Sequence, residues 1–202
     1  MGSDQANLYV LSRLFQYPDN GWMEEAAELT EGLVQSDPAA QDELQQLRSF
    51  LHWADSLAEE ERLQHYIRLF DFGKTTTLYL TYGSYGEERE RGPALLSLKQ
   101  IYEEAGFVMT EMELSDYLPL AMEFAAAADP VYAAQALEIL LPGMETLHEQ
   151  LRKADTPYAD LAGAAIAAAG RICQSVADSS SLVKIFERTA LLAEPAAVPS
   201  ER

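Results

Sequence analysis

Apolar side chains recur along most of this chain at intervals of three and four, the spacing that gathers them on one face of an α-helix. Leu8, Leu11, Leu14 and Phe15 set the first stripe and predict an amphipathic helix from about Asp4, its cap, to Gln16, stopped by Tyr17-Pro18. A second helix is expected from about Trp22 to Val34. Asp37-Pro38 then offers a cap followed by proline at the first helical position, where the missing N–H has no helical partner to lose. The third helix that follows carries Leu44, Leu47, Leu51 and Ala54. Ser56-x-x-Glu59 reads as a capping box for a fourth, striped by Leu63, Tyr66, Ile67 and Phe70 and ending near Asp71.

The period fails between Thr75 and Gly92. The run from Thr75 to Tyr82 has strand-like composition, while Gly83, Gly86 and Gly92 bracket the charged run Glu87 to Arg91. A lone strand without a partner is unstable, so the expectation is a helical turn and then a mobile loop around 83–92, with no sheet. Helical spacing resumes at Pro93, with Leu95, Leu98, Tyr102 and Ala105 on one face and Gly106 as the stop. Thr110-x-x-Glu113 reads as a second capping box ahead of Leu114, Tyr117, Leu118, Ala121, Phe124, Ala125 and Ala128.

Asp129-Pro130 and Thr156-Pro157 repeat the cap-plus-proline pattern, the second before an alanine-rich helix reaching about Val176. Pro142-Gly143 is expected to kink or split the helix between them. A short helix near Leu182 to Leu192 follows, and 193–202, with two prolines and no period, is expected to be a disordered tail. Eight or more helices with short connections and no βαβ alternation predict an all-α, single-domain helical bundle over residues 1–192.

Composition narrows the partners. Fourteen Lys and Arg against 33 Asp and Glu leave a formal charge of -19, which repels a nucleic-acid backbone. Either a basic or neutral partner is favoured or the acidity serves solubility alone. Cys173 is the single cysteine, so no internal disulfide forms and a cytoplasmic location is expected. No basic segment followed by an apolar run opens the chain, and the stretch 159–169 is too short and alanine-rich to span a bilayer. Neither export nor stable membrane insertion is expected.

Familiar catalytic patterns are missing: no glycine-rich phosphate loop, no Gly-x-Ser-x-Gly elbow, no Cys-x-x-Cys and no His-Glu-x-x-His. Glu145-x-x-His148 has the ligand spacing of di-iron bundles, which need two copies and two further glutamates; a solvated helix face explains one copy as well. Cys173 in its alanine-rich helix reads as a small buried hydrophobe. Tyr79, Tyr82 and Tyr85 suit packing under a loop better than base stacking on so acidic a chain.

The segment from Asp116 to Phe124 is different. In a helix, intervals of three and four put Asp116, Pro119 and Glu123 on one face and Tyr117, Ala121 and Phe124 on the adjacent, core-directed one. Pro119 either lies in the first turn of a helix restarting at Asp116 or kinks a longer one; both make a local groove.

At these residues the sequence resembles the NarJ branch of the redox-enzyme maturation chaperones, a family that also includes TorD-like proteins. The similarity rests on Asp116-Tyr117-Leu118-Pro119 with Glu123-Phe124, on Tyr66-Ile67-Arg68-Leu69-Phe70-Asp71-Phe72, on Leu78 through Gly92, and on Leu11 through Pro18. It covers Leu8 to Ala128. The resemblance implies an all-helical cytoplasmic chaperone, not an enzyme, that binds the N-terminal peptide of an apo-molybdoenzyme catalytic subunit of the nitrate reductase kind. It holds that client ready for molybdenum cofactor insertion, the cofactor belonging to the client, and cofactor-delivery proteins are possible further partners. Carried over by motif, the candidate peptide-binding residues are Asp116, Tyr117, Pro119, Glu123 and Phe124, with Tyr66 and Phe70; Tyr117 stands where many TorD-like relatives have histidine. An amphipathic basic leader would lay its apolar face beside Tyr117 and Phe124 and present cations to Asp116 and Glu123. The competing readings are a permanent helical accessory subunit of a redox complex and, more remotely, a carboxylate-bridged metal enzyme.

Overall fold

A computed structural model describes residues 2–36, 41–85, 91–109 and 113–192, with side chains at 36, 41–43, 83–85 and 181–192 excepted. Nine α-helices and no strand occur among the described residues: α1 Ser3–Leu14, α2 Trp22–Ser36, α3 Gln41–Asp55, α4 Glu59–Tyr66, α5 Leu80–Tyr85, α6 Arg91–Glu104, α7 Leu118–Ala127, α8 Pro130–Lys153 and α9 Tyr158–Leu192. The all-α expectation holds. No helix among the described residues is long and apolar enough to cross a membrane.

Most of the predicted stripes are buried faces; Leu114, 45% exposed and ahead of α7, is not part of one. Leu8, Leu11, Leu14 and Phe15 of the first stripe are essentially inaccessible, as are Leu47 and Ala54 of the third. α8 and α9 pack most extensively on each other, and α1 lies across α7, α9 and α2. Ala133, Ala134 and Ala136 on α8 and Ala165, Ala168 and Ala169 on α9 are all buried, small side chains that bring two helix backbones close. At one end the core turns aromatic. The Tyr158 ring meets Phe50 at 4.8 Å and Phe70 at 4.9 Å, both edge-on, the arrangement aromatic quadrupoles favour.

Several helix boundaries depart from expectation, each for a local reason. Asp4 does not cap α1: Gly2 holds the cap position, and Asp4, in the first turn, pairs with Arg171 of α9 at 2.6 Å. Ser56 closes α3 instead of opening α4, its hydroxyl donating to the Trp53 carbonyl at 2.6 Å, while Ala58 takes the cap position and Glu61 accepts its N–H at 3.0 Å. Asp37-Pro38 and Thr110 lie outside the described residues. Helical structure does continue from α4 to Asp71, but as a separate π-helical turn, Ile67–Asp71, with the Phe72 N–H bonding the Ile67 carbonyl at 3.0 Å. α6 starts at Arg91, ahead of Pro93, and of the expected loop the stretch 86–90 lies outside the described residues.

Pro142 neither splits nor ends α8. It is exposed, and the Glu138 carbonyl it leaves without a partner belongs to an exposed residue that water can reach. Thr156 does not cap α9; its hydroxyl bonds His65 Nε2 at 3.0 Å, and the helix begins at Tyr158. The separate helices expected around 158–176 and 182–192 are one, continued through a polar stretch in which Gln174 donates to Asp178 at 2.8 Å and Ser179 to the Ser175 carbonyl at 2.8 Å. The tail 193–202 lies outside the described residues.

Candidate functional site

The candidate groove is organised around the start of α7. The strand-like run after Thr75 forms no sheet, but it does find a partner: Tyr79 and Tyr117 make an isolated antiparallel bridge. The Leu118 N–H bonds the Leu78 carbonyl at 2.8 Å, and the Leu80 N–H bonds the Asp116 carbonyl at 3.1 Å. The bridge keeps Tyr117 extended as the cap residue of α7, so Pro119 falls at the second helical position, where it breaks no helical bond. The restart expected at Asp116 occurs one residue later.

That shift separates two residues expected on one face. Asp116 is outside the helix and completely buried, whereas Glu123 is exposed on α7. The Asp116 carboxylate accepts from the Thr81 N–H at 3.0 Å and from the Thr81 hydroxyl at 2.5 Å, with Arg91 Nη2 3.8 Å away.

On one side of the Glu123 face lies an apolar cavity of about 280 Å³. Phe124 lines it, its ring 4.0 Å from Tyr102 and 5.2 Å from Phe107. Phe107 reaches that position because α6 ends in a left-handed turn at Gly106 (φ +86°), closed by bonds from Gly106 N–H to the Glu103 carbonyl and from Phe107 N–H to the Tyr102 carbonyl. Val108, 94% exposed, and Met109 complete the lip.

On the other side lies a polar cleft of about 330 Å³, walled by Arg13, Tyr17, Glu25, Tyr117 and Pro119. Glu113, Leu120 and Glu123 line both spaces and join them into one groove. Four carboxylates, from Asp19, Glu25, Glu113 and Glu123, face one guanidinium here, and Arg13 is already bonded to Glu25 at 2.9 Å. The bond to Glu25 holds Arg13 charged, with Glu123 adding to the effect. Asp19, Glu113 and Glu123 form no ion pair among the described residues, so the groove carries uncompensated negative charge beside an apolar pocket.

Tyr66 and Phe70 are buried and line neither space. Tyr66 donates to the Phe15 carbonyl at 3.0 Å, and its ring stands 5.5 Å from Tyr17, while Phe70 belongs to the aromatic core. Tyr66 supports the cleft from behind through its ring contact with Tyr17. Burial, and then the nearby Glu113 carboxylate, raise the Tyr117 phenol above its ordinary value, so it remains a neutral donor at the cleft wall. Arg13, Tyr102, Phe107, Met109 and Glu113 escape sequence reasoning. Glu113 is absorbed there by an apparent capping box, and the others are spread over α1, α6 and the turn after it.

Other candidates have local partners. His148 packs over Gly163, where a Cβ would sit 3.5 Å from its Nε2, and Glu145 is exposed. Among the described residues no three His, Cys, Asp or Glu side chains come together as a metal site. Cys173 points its sulfur at the Ala134 carbonyl, 3.7 Å away, and burial followed by the Glu138 charge pushes its thiol up. Tyr79 packs on Tyr117 at 5.4 Å, and the Arg91 guanidinium lies over Tyr82 at 5.5 Å.

Fold and site together define an all-helical protein whose candidate site is an apolar groove edged by carboxylates. The chain belongs to the nitrate reductase delta subunit family, whose model matches residues 34–162. That range starts and ends later than the span on which the motif resemblance rests. The chain is 42% identical over 164 residues to the probable nitrate reductase molybdenum cofactor assembly chaperone NarJ of Bacillus subtilis (strain 168), covering 81% of this chain and 88% of that one. It is 30% identical over 154 residues to the nitrate reductase molybdenum cofactor assembly chaperone NarJ of Escherichia coli (strain K12), covering 76% of this chain and 65% of that protein. It is also 34% identical over 148 residues to the nitrate reductase-like protein NarX of Mycobacterium tuberculosis (strain ATCC 25618 / H37Rv), covering 73% of this chain but 22% of that much longer one.

Proposed function

We propose that this protein is a cytoplasmic, system-specific chaperone for a nitrate reductase-like molybdoenzyme. It binds the N-terminal segment of the apo catalytic subunit and holds that subunit competent for molybdenum cofactor insertion and assembly. The cofactor is the client's, and the chaperone itself performs no redox step. The observation that carries the reading is the joining of the Phe124 pocket to the Tyr117 cleft through Glu113, Leu120 and Glu123.

An amphipathic basic helix matches both halves. Its apolar side chains enter the pocket, where each one fully buried contributes roughly 1.5–3 kcal/mol. Its Lys or Arg side chains meet Glu113 and Glu123 on the exposed edge, where a solvated pair adds only about 0–1 kcal/mol. Apolar burial therefore sets the affinity, and the carboxylates set orientation and reject acidic segments.

Calorimetric titration with a synthetic peptide of the N-terminal segment of the same organism's nitrate reductase catalytic subunit tests this. The expected result is saturable binding with a negative heat-capacity change, weakening as salt rises. Absence of binding by that peptide sinks the reading. Recovery of the chain as a fixed component of the finished enzyme favours an accessory subunit instead.

A further inference from the structure

Two consecutive residues, Ser115 and Asp116, hold three helices together at the head of the groove. Ser115 donates from its hydroxyl to the Leu95 carbonyl at 3.0 Å and accepts on its own carbonyl from the Tyr102 hydroxyl at 2.9 Å, both on α6. Asp116 accepts from α5 at three points: its carbonyl from the Leu80 N–H, and one carboxylate oxygen from the Thr81 N–H and hydroxyl. The Thr81 hydroxyl accepts in turn from Arg91 Nε at 3.1 Å, which returns the connection to the start of α6. The next residue, Tyr117, caps α7.

We infer that Asp116 is a positioning residue of the groove, setting the spacing of α6 and α7 through Thr81 and Arg91 without meeting the client. The inference rests on the groove being the client site. Asp116 is fully buried and borders neither cavity, so a bound peptide reaches it only by dismantling this clasp. The pocket's Tyr102 wall belongs to α6 and its Phe124 wall to α7, so loosening the clasp changes the width between them. Carboxylate Oδ2 takes both Thr81 donors while the buried Oδ1 has no hydrogen-bond partner among the described residues, so the hold on this charge depends on Thr81 and is costly to break. Charge on the client is then read by the groove's unpaired carboxylates, Glu113 and Glu123 with Asp19 at the cleft.

The test is peptide affinity measured over a range of salt, with the same N-terminal peptide, for Asp116→Ala, Asp116→Asn, Thr81→Val and the Glu113→Gln/Glu123→Gln pair. A direct charge contact contributes to the salt dependence; a strut does not. Expected are losses of about tenfold for Asp116→Ala and Thr81→Val with the salt dependence unchanged, and most of the affinity retained by Asp116→Asn, which still accepts from Thr81. The losses of Asp116→Ala and Thr81→Val should also be strongly non-additive. Should Asp116→Ala fail to fold, Thr81→Val and Asp116→Asn decide the matter. Wild-type affinity in Thr81→Val, or a salt dependence flattened by Asp116→Asn as by the glutamine pair, overturns the inference. If the wild-type protein does not bind the peptide, the functional reading fails and the clasp is judged on the free protein. Faster amide exchange at Leu80 and Leu118 in Thr81→Val then supports it, and unchanged exchange overturns it.

Discussion

The side-chain amide of Gln5 donates to the carbonyls of Ala125 and Ala128, at 3.0 and 2.8 Å, so a residue in the first turn of α1 satisfies the C-terminal end of α7. Helix ends leave carbonyls without internal partners, and these two would otherwise be enclosed without a donor. Gln5→Leu, similar in size, should cost about 1–3 kcal/mol, measured by urea unfolding, because the acceptors remain buried while the donor is gone. An unchanged unfolding midpoint would mean that water replaces the amide.

Gly143 faces the backbone of α5. A Cβ built there falls 2.5 Å from the Leu80 carbonyl oxygen, whereas one built at Gly170 on α9 meets nothing within 4 Å. Gly143→Ala should therefore destabilise by roughly 1–3 kcal/mol through overpacking against backbone. Gly170→Ala should be neutral or stabilise by up to about 1 kcal/mol through helix propensity. Thermal melts of the two variants should shift in opposite directions, or by clearly different amounts; equal shifts contradict the packing.

His65 stacks with Tyr158, meets Trp53 edge-on and bonds the Thr156 hydroxyl. Burial, and then the Arg68 charge, lower its pKa below the ordinary value of 6.5. The unfolded chain therefore binds the proton more readily than the folded one. Stability from the neutral ring is complete above the unfolded pKa and is lost as pH falls from there through the folded pKa. The melting temperature of the wild type relative to His65→Gln should decline between about pH 7.5 and 5, and a difference that stays constant would show that the ring does not titrate in this way.

Glu113 and Glu123 are the carboxylates common to both halves of the groove. Their joint replacement by glutamine should weaken peptide binding by about three- to tenfold at low salt and by much less at high salt, since exposed charges are screened. Calorimetry at two ionic strengths checks it. A loss independent of salt would assign them a steric role.

The helical content was legible because burial on one face imposes its period on the sequence, as Leu8, Leu11 and Leu14 show. Boundaries were less so. Ser56 and Glu61 reveal that capping depends on which nearby carboxylate actually reaches the free N–H, not on spacing alone. The motif from Asp116 to Phe124 borders the candidate groove, but Asp116 does not share a helical face with Glu123, because a single bridge between Tyr79 and Tyr117, 38 positions apart, delays the helix start and turns Asp116 inward. The groove's other walls, Arg13 and Phe107, are brought there by helix packing and by the turn at Gly106, which no local pattern announces.

Val108 stands almost wholly in water at the lip of an apolar pocket. An empty groove of this kind is adhesive toward any apolar segment, including the lip of another copy. The formal charge of -19 opposes that encounter, since two such surfaces repel over a Debye length of about 8–10 Å at physiological salt. The acidity thereby acts as a colloidal filter: it keeps copies of the chain apart while leaving the pocket open to a cationic visitor.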